Sequence, residues 1–132
     1  MDEKIEANNV LGELERELEH CEKLIPVFER HKEKHGEEDH HSVFAPYGSH
    51  QFTGRCFLVK KYHEAGFISD EEFAWIANRV QDLASYERER LSERARVYGE
   101  NRKSPEESER WRSMILHGPV AQTLRFIDEL LE

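Results

Sequence analysis

The sequence contains few of the features that mark secreted or membrane proteins. Two cysteines in 132 residues exclude the disulfide-dense frameworks of small secreted domains. No stretch approaches the ~20 consecutive apolar residues that a membrane span requires, so we expect no transmembrane helix. The first ten residues are acidic and include no apolar run, which argues against a secretory signal. These absences predict a soluble protein of the cytoplasm.

Motifs of the common catalytic and nucleotide-binding families are also missing. The chain has no Cys-x-x-Cys, no His-Glu-x-x-His, no Gly-x-Ser-x-Gly elbow and no glycine-rich phosphate loop. Cys21 and Cys56 lie among apolar residues, without a histidine or aspartate at the spacing of a known family. Whether these two thiols are free or bridged stays open. We therefore predict no catalytic residues and favour a protein that is not an enzyme.

The composition that is present suits amphipathic helices. Hydrophobic residues make up 37% of the chain and charged residues 36%, which is enough for one apolar stripe per helix. The length fits one domain, 1–132, and no segment alternates apolar and polar residues as a strand would. The prediction is an all-α, single-domain bundle of about five helices, two of them long.

The first long helix is predicted over about residues 3–35. Its apolar residues recur in alternating steps of four and three, the spacing of a heptad seam. They are Ala7, Leu11, Leu14, Leu18, Cys21, Ile25 and Phe28. Because Pro26 interrupts this seam without shifting it, we expect a kink there rather than a break. The seam fits either the core of one chain or the interface of a homodimer.

A long loop is predicted over residues 36–53, where glycine and proline recur. Loops of this length are uncommon in compact domains and are often functional. We expect four apolar side chains to hold it to the core: Val43, Phe44, Tyr47 and Phe52.

Capping residues place the remaining helices. A short helix follows the loop, and Ser69 with Glu72 forms a capping box that starts the second long helix, predicted over 70–98 and ended by Gly99. Ser104 before a proline predicts another helix start. The second half of the 70–98 helix is polar, so we expect it to be only partly covered, or covered by a partner.

Negative charge is concentrated near the first helix. Of the net charge of −9, residues 1–42 contribute −7, from 13 acidic and 6 basic side chains. Such a field disfavours nucleic acid and anionic membranes and attracts basic protein surfaces. The leading prediction is a regulator, inhibitor or immunity-type protein that binds a basic protein partner. The acids expected at the contact are Glu13, Glu15, Glu17, Glu19 and Glu22. The alternative is that they only keep the protein soluble.

Arginines of the second long helix complete the predicted partner surface. Arg90 and Arg94 belong to an arginine-rich stretch of the kind that can bind nucleic-acid phosphates. Glutamates interleave with them at three-residue spacing, which is more typical of ion pairs along an exposed helix. We therefore assign these two arginines to a protein contact.

Clustered histidines support an alternative function. Seven of the eight histidines lie between positions 20 and 63, and His31 and His35 share a helical face at the spacing that two metal ligands need. Neutral imidazole suits zinc, nickel or copper. The alternative is a metal-binding helical bundle, including a metal-dependent enzyme, with zinc as the typical cofactor. Its candidate ligands are His31, His35, Asp39, His40, His41, His50 and His63. Exposed histidines in a polar segment can also have no binding role.

Overall fold

Five α-helices make up the described part of the chain. The computed structural model describes residues 2–35, 43–44, 49–100 and 102–131. The helices are α1 (Asp2–His35), α2 (Ser49–Glu64), α3 (Asp70–Glu100), α4 (Pro105–Leu116) and α5 (Pro119–Leu131). No strand occurs within these ranges. The predicted all-α bundle of about five helices, two of them long, is confirmed.

The apolar seam of α1 lies inside the chain's own core. Leu14, Leu18 and Cys21 are 1%, 0% and 0% exposed, and Ala7 and Leu11 are also buried. Burying one aliphatic side chain of this size contributes roughly 1.5–3 kcal/mol to stability. Of the two uses that the seam allows, the intrachain core is therefore the one observed. A homodimer would need another surface.

α1 continues through Pro26 without interruption, as predicted. The proline is exposed, so the face of the helix that packs on the core retains its apolar residues at this point. Tertiary packing of that face supplies most of the stability of such a helix, which explains why the loss of one backbone donor does not end it. The bend at Pro26 stays a prediction.

Two polar contacts show that α1 and α2 are antiparallel. Tyr62 Oη donates to Glu6 Oε2 at 3.0 Å. Arg55 Nε donates to Glu13 Oε2, also at 3.0 Å. A step of seven residues forward along α1 thus corresponds to seven residues backward along α2.

α3 runs parallel to α1 in a fixed register. Arg79 Nη2 donates to Glu22 Oε1 at 2.5 Å. One heptad further along both helices, Tyr86 Oη donates to Glu29 Oε1 at 2.7 Å. The partners are 57 residues apart in both pairs, so the two helices advance together between these contacts.

The loop is predicted to extend to residue 53. This boundary is wrong, because α2 already begins at Ser49. The first turn of α2 is held by Phe52, which is fully buried and lies 4.9 Å from Phe44 between ring centroids. Val43 and Phe44 form a turn and are 0% and 2% exposed, so their predicted role in holding this connection to the core is confirmed. Tyr47 lies outside the described residues.

α3 also ends later than predicted, because Gly99 is part of the helix rather than its stop. Its missing side chain leaves room for Arg112 of α4: a Cβ at position 99 would lie 2.8 Å from the Cγ of Arg112. Next to this crossing, the Tyr98 and Trp111 rings stack at 6.0 Å. α4 thereby covers part of the polar second half of α3, while Arg88, Ser92 and Arg96 of that half stay exposed, in line with the predicted partial coverage.

The predicted helix starts are confirmed at both serines. The Oγ of Ser69 accepts from Glu72 N at 3.1 Å and donates to the Glu72 carboxylate at 3.0 Å, which completes the capping box. The Oγ of Ser104 accepts from Glu107 N at 3.1 Å, ahead of a proline in the first turn of α4. These local hydrogen bonds determine the residues at which α3 and α4 begin.

Candidate partner-binding surface

Two of the acids predicted to contact a partner instead join α1 to α2. Glu17 is only 3% exposed and forms an ion pair with Arg55 Nη1. Arg55 also binds Glu13, so one guanidinium lies between two carboxylates that are four residues apart on α1. Because Glu17 is buried and both carboxylates bind Arg55 on the α2 side of α1, we do not include them in a binding surface.

The two predicted arginines are in the interior. Arg90 and Arg94 are each 5% exposed. Arg90 donates to Glu87 Oε2 at 2.9 Å, and its guanidinium carbon lies 4.2 Å from the ring centroid of Phe28. Glu87 is 0% exposed and also accepts from the backbone N–H of Val43 at 3.1 Å. This cluster connects α1, α3 and the turn at 43–44 and is structural.

The remaining predicted acids lie together along the border between α1 and α3. Glu15, Glu19 and Glu22 are separated by steps of four and three, and so share one face of α1. Glu19 is exposed, and the other two are partly exposed. Arg79 and Tyr86 of α3 bind Glu22 and Glu29 on this side of α1, and the spacing of Trp75 and Asp82 puts them on the same side of α3. We name this surface the α1–α3 edge; its residues are Glu15, Glu19, Glu22 and Glu29 of α1, with Trp75, Arg79, Asp82 and Tyr86 of α3.

An exposed indole lies beside Arg79, the residue that binds Glu22. Trp75 is 48% exposed. The guanidinium carbon of Arg79 lies 5.0 Å from the indole ring centroid, and the same guanidinium binds Glu22 at 2.5 Å. Arg79 therefore connects the aromatic side chain of α3 directly to the acidic face of α1. Such a cation–π contact contributes on the order of 0.5–1 kcal/mol at an exposed site and restricts the indole.

Basic residues border the edge on its outer side. Arg16, Lys23 and Arg30 are all exposed and recur every seven residues, opposite the buried seam of α1. The part of α1 that points furthest from the core is thus basic, although the helix as a whole is acidic. Opposite charges lie in two adjacent stripes along one helix.

The four α3 residues of the edge are absent from the sequence-based prediction. These residues are four, three and four positions apart and flank the apolar seam of α3. Trp75 is a large aromatic residue that lies outside that seam. An aromatic residue on the flank of a seam, in register with charged neighbours, is the signal that can identify such a surface. Its exposure follows only from the way in which α1 and α3 pack.

The structure separates the predicted metal ligands. His63 Nε2 lies 2.8 Å from Asp70 Oδ1, and its ring stacks on Phe73 at 4.2 Å. Its neighbour Tyr62 contacts Glu6, near the start of α1. His31 lies 25 residues further along that helix, or about 37 Å at 1.5 Å per residue. His63 therefore cannot share an ion with His31.

Other members of the proposed ligand set are only partly described. His35 and His50 belong to α1 and α2, while Asp39, His40 and His41 lie outside the described residues. Within the part of the chain that the structure describes, no three His, Cys, Asp or Glu side chains are grouped closely enough to hold a metal ion. Zinc binding by the 31–41 segment stays a prediction.

The two cysteines are free and buried. Burial raises the pKa of the Cys21 thiol to about 11, and the neighbouring Glu22 carboxylate adds to this effect. Burial also raises the pKa of Cys56 to about 12. Because the thiolate is the reactive form, both thiols are poor nucleophiles near neutral pH.

Among the helices of the described residues, none combines the length and the apolar character needed to cross a membrane. Comparisons with known proteins add no relative to this picture. No family model, curated protein or solved structure matches the chain.

Proposed function

We propose that this protein is a non-catalytic binding protein whose α1–α3 edge takes up a protein partner with a basic surface. The observation that carries the proposal is the exposed Trp75 of α3, which Arg79 connects to the Glu22 carboxylate of α1. Tryptophan is enriched among the residues that dominate binding energy, and the surrounding carboxylates speed encounter with a basic surface. A regulator, inhibitor or immunity-type protein would use such a surface.

The proposed setting is the cytoplasm. Free, buried Cys21 and Cys56 are in keeping with a reducing compartment, where thiols are normally unpaired. The protein would act as a monomer or through a contact that leaves the α1–α3 edge open, since the α1 seam is already buried.

Charge reversal on the edge tests the proposal. We would compare the wild type with the triple variant Glu15→Lys, Glu19→Lys and Glu29→Lys as bait for cytosolic proteins of the source cell. A control variant, Glu106→Lys, Glu109→Lys and Glu129→Lys, makes the same change in net charge at exposed positions of α4 and α5. The edge variant should lose a partner that the wild type and the control both retain. Binding should weaken as salt rises.

Equal recovery of each bound protein by the edge variant and the wild type would contradict the proposal. The same conclusion would follow if the control variant lost the partner to the same extent, because the effect would then reflect net charge rather than this surface. Thermal unfolding of the three proteins would show that the substitutions leave the fold intact.

A further inference from the structure

We infer that the partner binds the α1–α3 edge through an α-helix that carries a basic stripe beside an acidic one. This inference rests on the proposed function and specifies the partner. It starts from the spacing of three edge carboxylates. Glu15, Glu22 and Glu29 recur every seven residues, which corresponds to about 10.5 Å along the helix axis.

A helical partner matches this spacing, whereas an extended one does not. Basic residues seven apart on a helix also repeat at about 10.5 Å and drift by only ~20° per heptad. On an extended chain, side chains on one face repeat at about 6.6–6.8 Å, so the side chain nearest to the second carboxylate, at about 13.2–13.6 Å, would miss it by roughly 3 Å. A strand could pair with Glu15 and Glu29, because six of its residues span about 20 Å of the ~21 Å between them, but it could not pair with all three.

The shape of the edge favours the same element. α1 and α3 run in parallel between Glu22 and Glu29, and two such helices leave a furrow that a third can occupy at the usual interaxial distance of about 8–10 Å. The 57-residue offset puts Trp75 at the level of Leu18, between the first two carboxylates of the repeat. Its half-exposed indole can then pack on an apolar residue of the partner.

The basic residues that border the edge restrict the partner further. Arg16, Lys23 and Arg30 have the same seven-residue spacing and lie next to the acidic stripe. A uniformly cationic partner would meet repulsion from them. A helix with acidic residues beside its basic stripe would instead be complementary to both. The edge would therefore select its partner in two ways. Its acidic stripe attracts a basic stripe, and its basic border repels a helix that is cationic all round.

Designed peptides provide the test. The matched probe is a three-heptad helical peptide with arginine at one position of each heptad, glutamate on one flank and leucine at the centre. One comparison peptide has the same composition with the arginines in scrambled positions, and another has a central proline that breaks the helix. Binding to a Trp111→Phe variant, in which Trp75 is the remaining tryptophan, is followed by indole fluorescence.

The matched probe should bind at least roughly tenfold more tightly than either comparison peptide, a difference of about 1.4 kcal/mol. Glu15→Lys and Asp82→Lys should each weaken it, while Glu106→Lys, on α4, should not. A fully cationic helical probe should bind less well than the matched one.

The possible results distinguish a failure of the helical partner from a failure of the proposed function. Equal affinity of the scrambled or proline peptide would overturn the helical partner and leave the proposed basic partner intact, provided that Glu15→Lys still weakens both. Tighter binding of the fully cationic probe would overturn the acidic flank of the partner. If the peptides bind but Glu15→Lys and Asp82→Lys have no effect, the α1–α3 edge is not the site and the proposed function fails as well. Failure of all the peptides to bind would overturn the helical partner, and the charge-reversal experiment would then decide the proposed function separately.

Discussion

The backbone N–H of Val43 donates a hydrogen bond to Glu87 Oε2 across 3.1 Å in the interior of the bundle. The same carboxylate oxygen accepts from Arg90, whose side chain is 5% exposed. The buried carboxylate of Glu87 therefore binds both the turn at 43–44, which lies between α1 and α2, and the buried guanidinium of Arg90. Removing one member of such a pair is costly, because the charge that remains stays in the interior.

Glu87→Ala should lower the free energy of unfolding by about 3–5 kcal/mol. The substitution removes the carboxylate that faces Arg90 and the acceptor for the Val43 N–H. Glu93→Ala is the control, because Glu93 and Arg96 form a pair with the same three-residue spacing on the surface, with 36% and 54% side-chain exposure. That change should leave the free energy of unfolding close to the wild-type value, because ion pairs on the surface contribute little. Urea unfolding of both variants measures the difference, and similar losses would refute the structural role of Glu87.

Gly99→Ala should destabilise the protein by about 1 kcal/mol, although alanine is normally favoured over glycine in a helix by about that amount. The reason is Arg112, whose side chain occupies the space that a Cβ would need. In an Arg112→Ala background the sign should reverse, and Gly99→Ala should stabilise. A double-mutant cycle by urea unfolding provides the measurement. Additive effects would show that the two residues do not interact.

Alkaline pH should destabilise the fold through its buried thiols. Burial raises the pKa of Cys56 from 9.0 to about 12, so the unfolded chain releases this proton first as pH rises. The stability due to the protonated thiol is complete below pH 9 and is lost as pH rises toward 12. Cys56→Ala should therefore show a shallower loss of unfolding free energy between about pH 9 and 11 than the wild type. Parallel curves would contradict this assignment.

Ser69→Ala should cost about 1 kcal/mol, the usual value for a lost helix cap. Backbone and side-chain hydrogen bonds from Ser69 hold the pKa of the Glu72 carboxyl below its ordinary value of 4.5. The variant keeps the backbone hydrogen bond and loses the one from the hydroxyl, so it should raise this pKa in part, which an NMR titration can follow. A carboxyl pKa that is lower in the folded state stabilises the fold at pH values above the pKa of the unfolded state. The difference in unfolding free energy between wild type and variant should therefore shrink as pH falls below about 4. An unchanged Glu72 titration would contradict the hydrogen bond from the Ser69 hydroxyl to this carboxylate.

Much of the fold could be predicted because its determinants are local. The heptad steps from Ala7 to Cys21 define the buried face of α1, and Ser69 and Ser104 mark helix starts through bonds to residues three positions ahead. The start of α2 could not be placed in this way. It depends on Phe52 packing against Phe44, a contact that only the assembled bundle provides.

The candidate site was harder to predict for a related reason. Glu87 with Arg90 and Glu93 with Arg96 have the same spacing in the sequence, yet the first pair is buried and the second exposed. Position relative to the seam separates them: Glu87 continues the buried steps of Val80 and Leu83, whereas Glu93 does not. Spacing alone indicates that two charges can pair, and only packing decides on which side of the helix they do so.

The parallel register of α1 and α3 also limits how this chain can vary in length. Inserting one residue between Glu22 and Glu29 would turn the following part of α1 by about 100° and move the second carboxylate away from Tyr86. An insertion of seven residues in α1 alone would keep the following side chains on the same face of the helix, but it would move them one heptad along the axis relative to α3. Only matched seven-residue changes in both helices preserve each contact. Between these two pairs, changes in length are therefore restricted to multiples of the heptad, made jointly in two distant parts of the sequence.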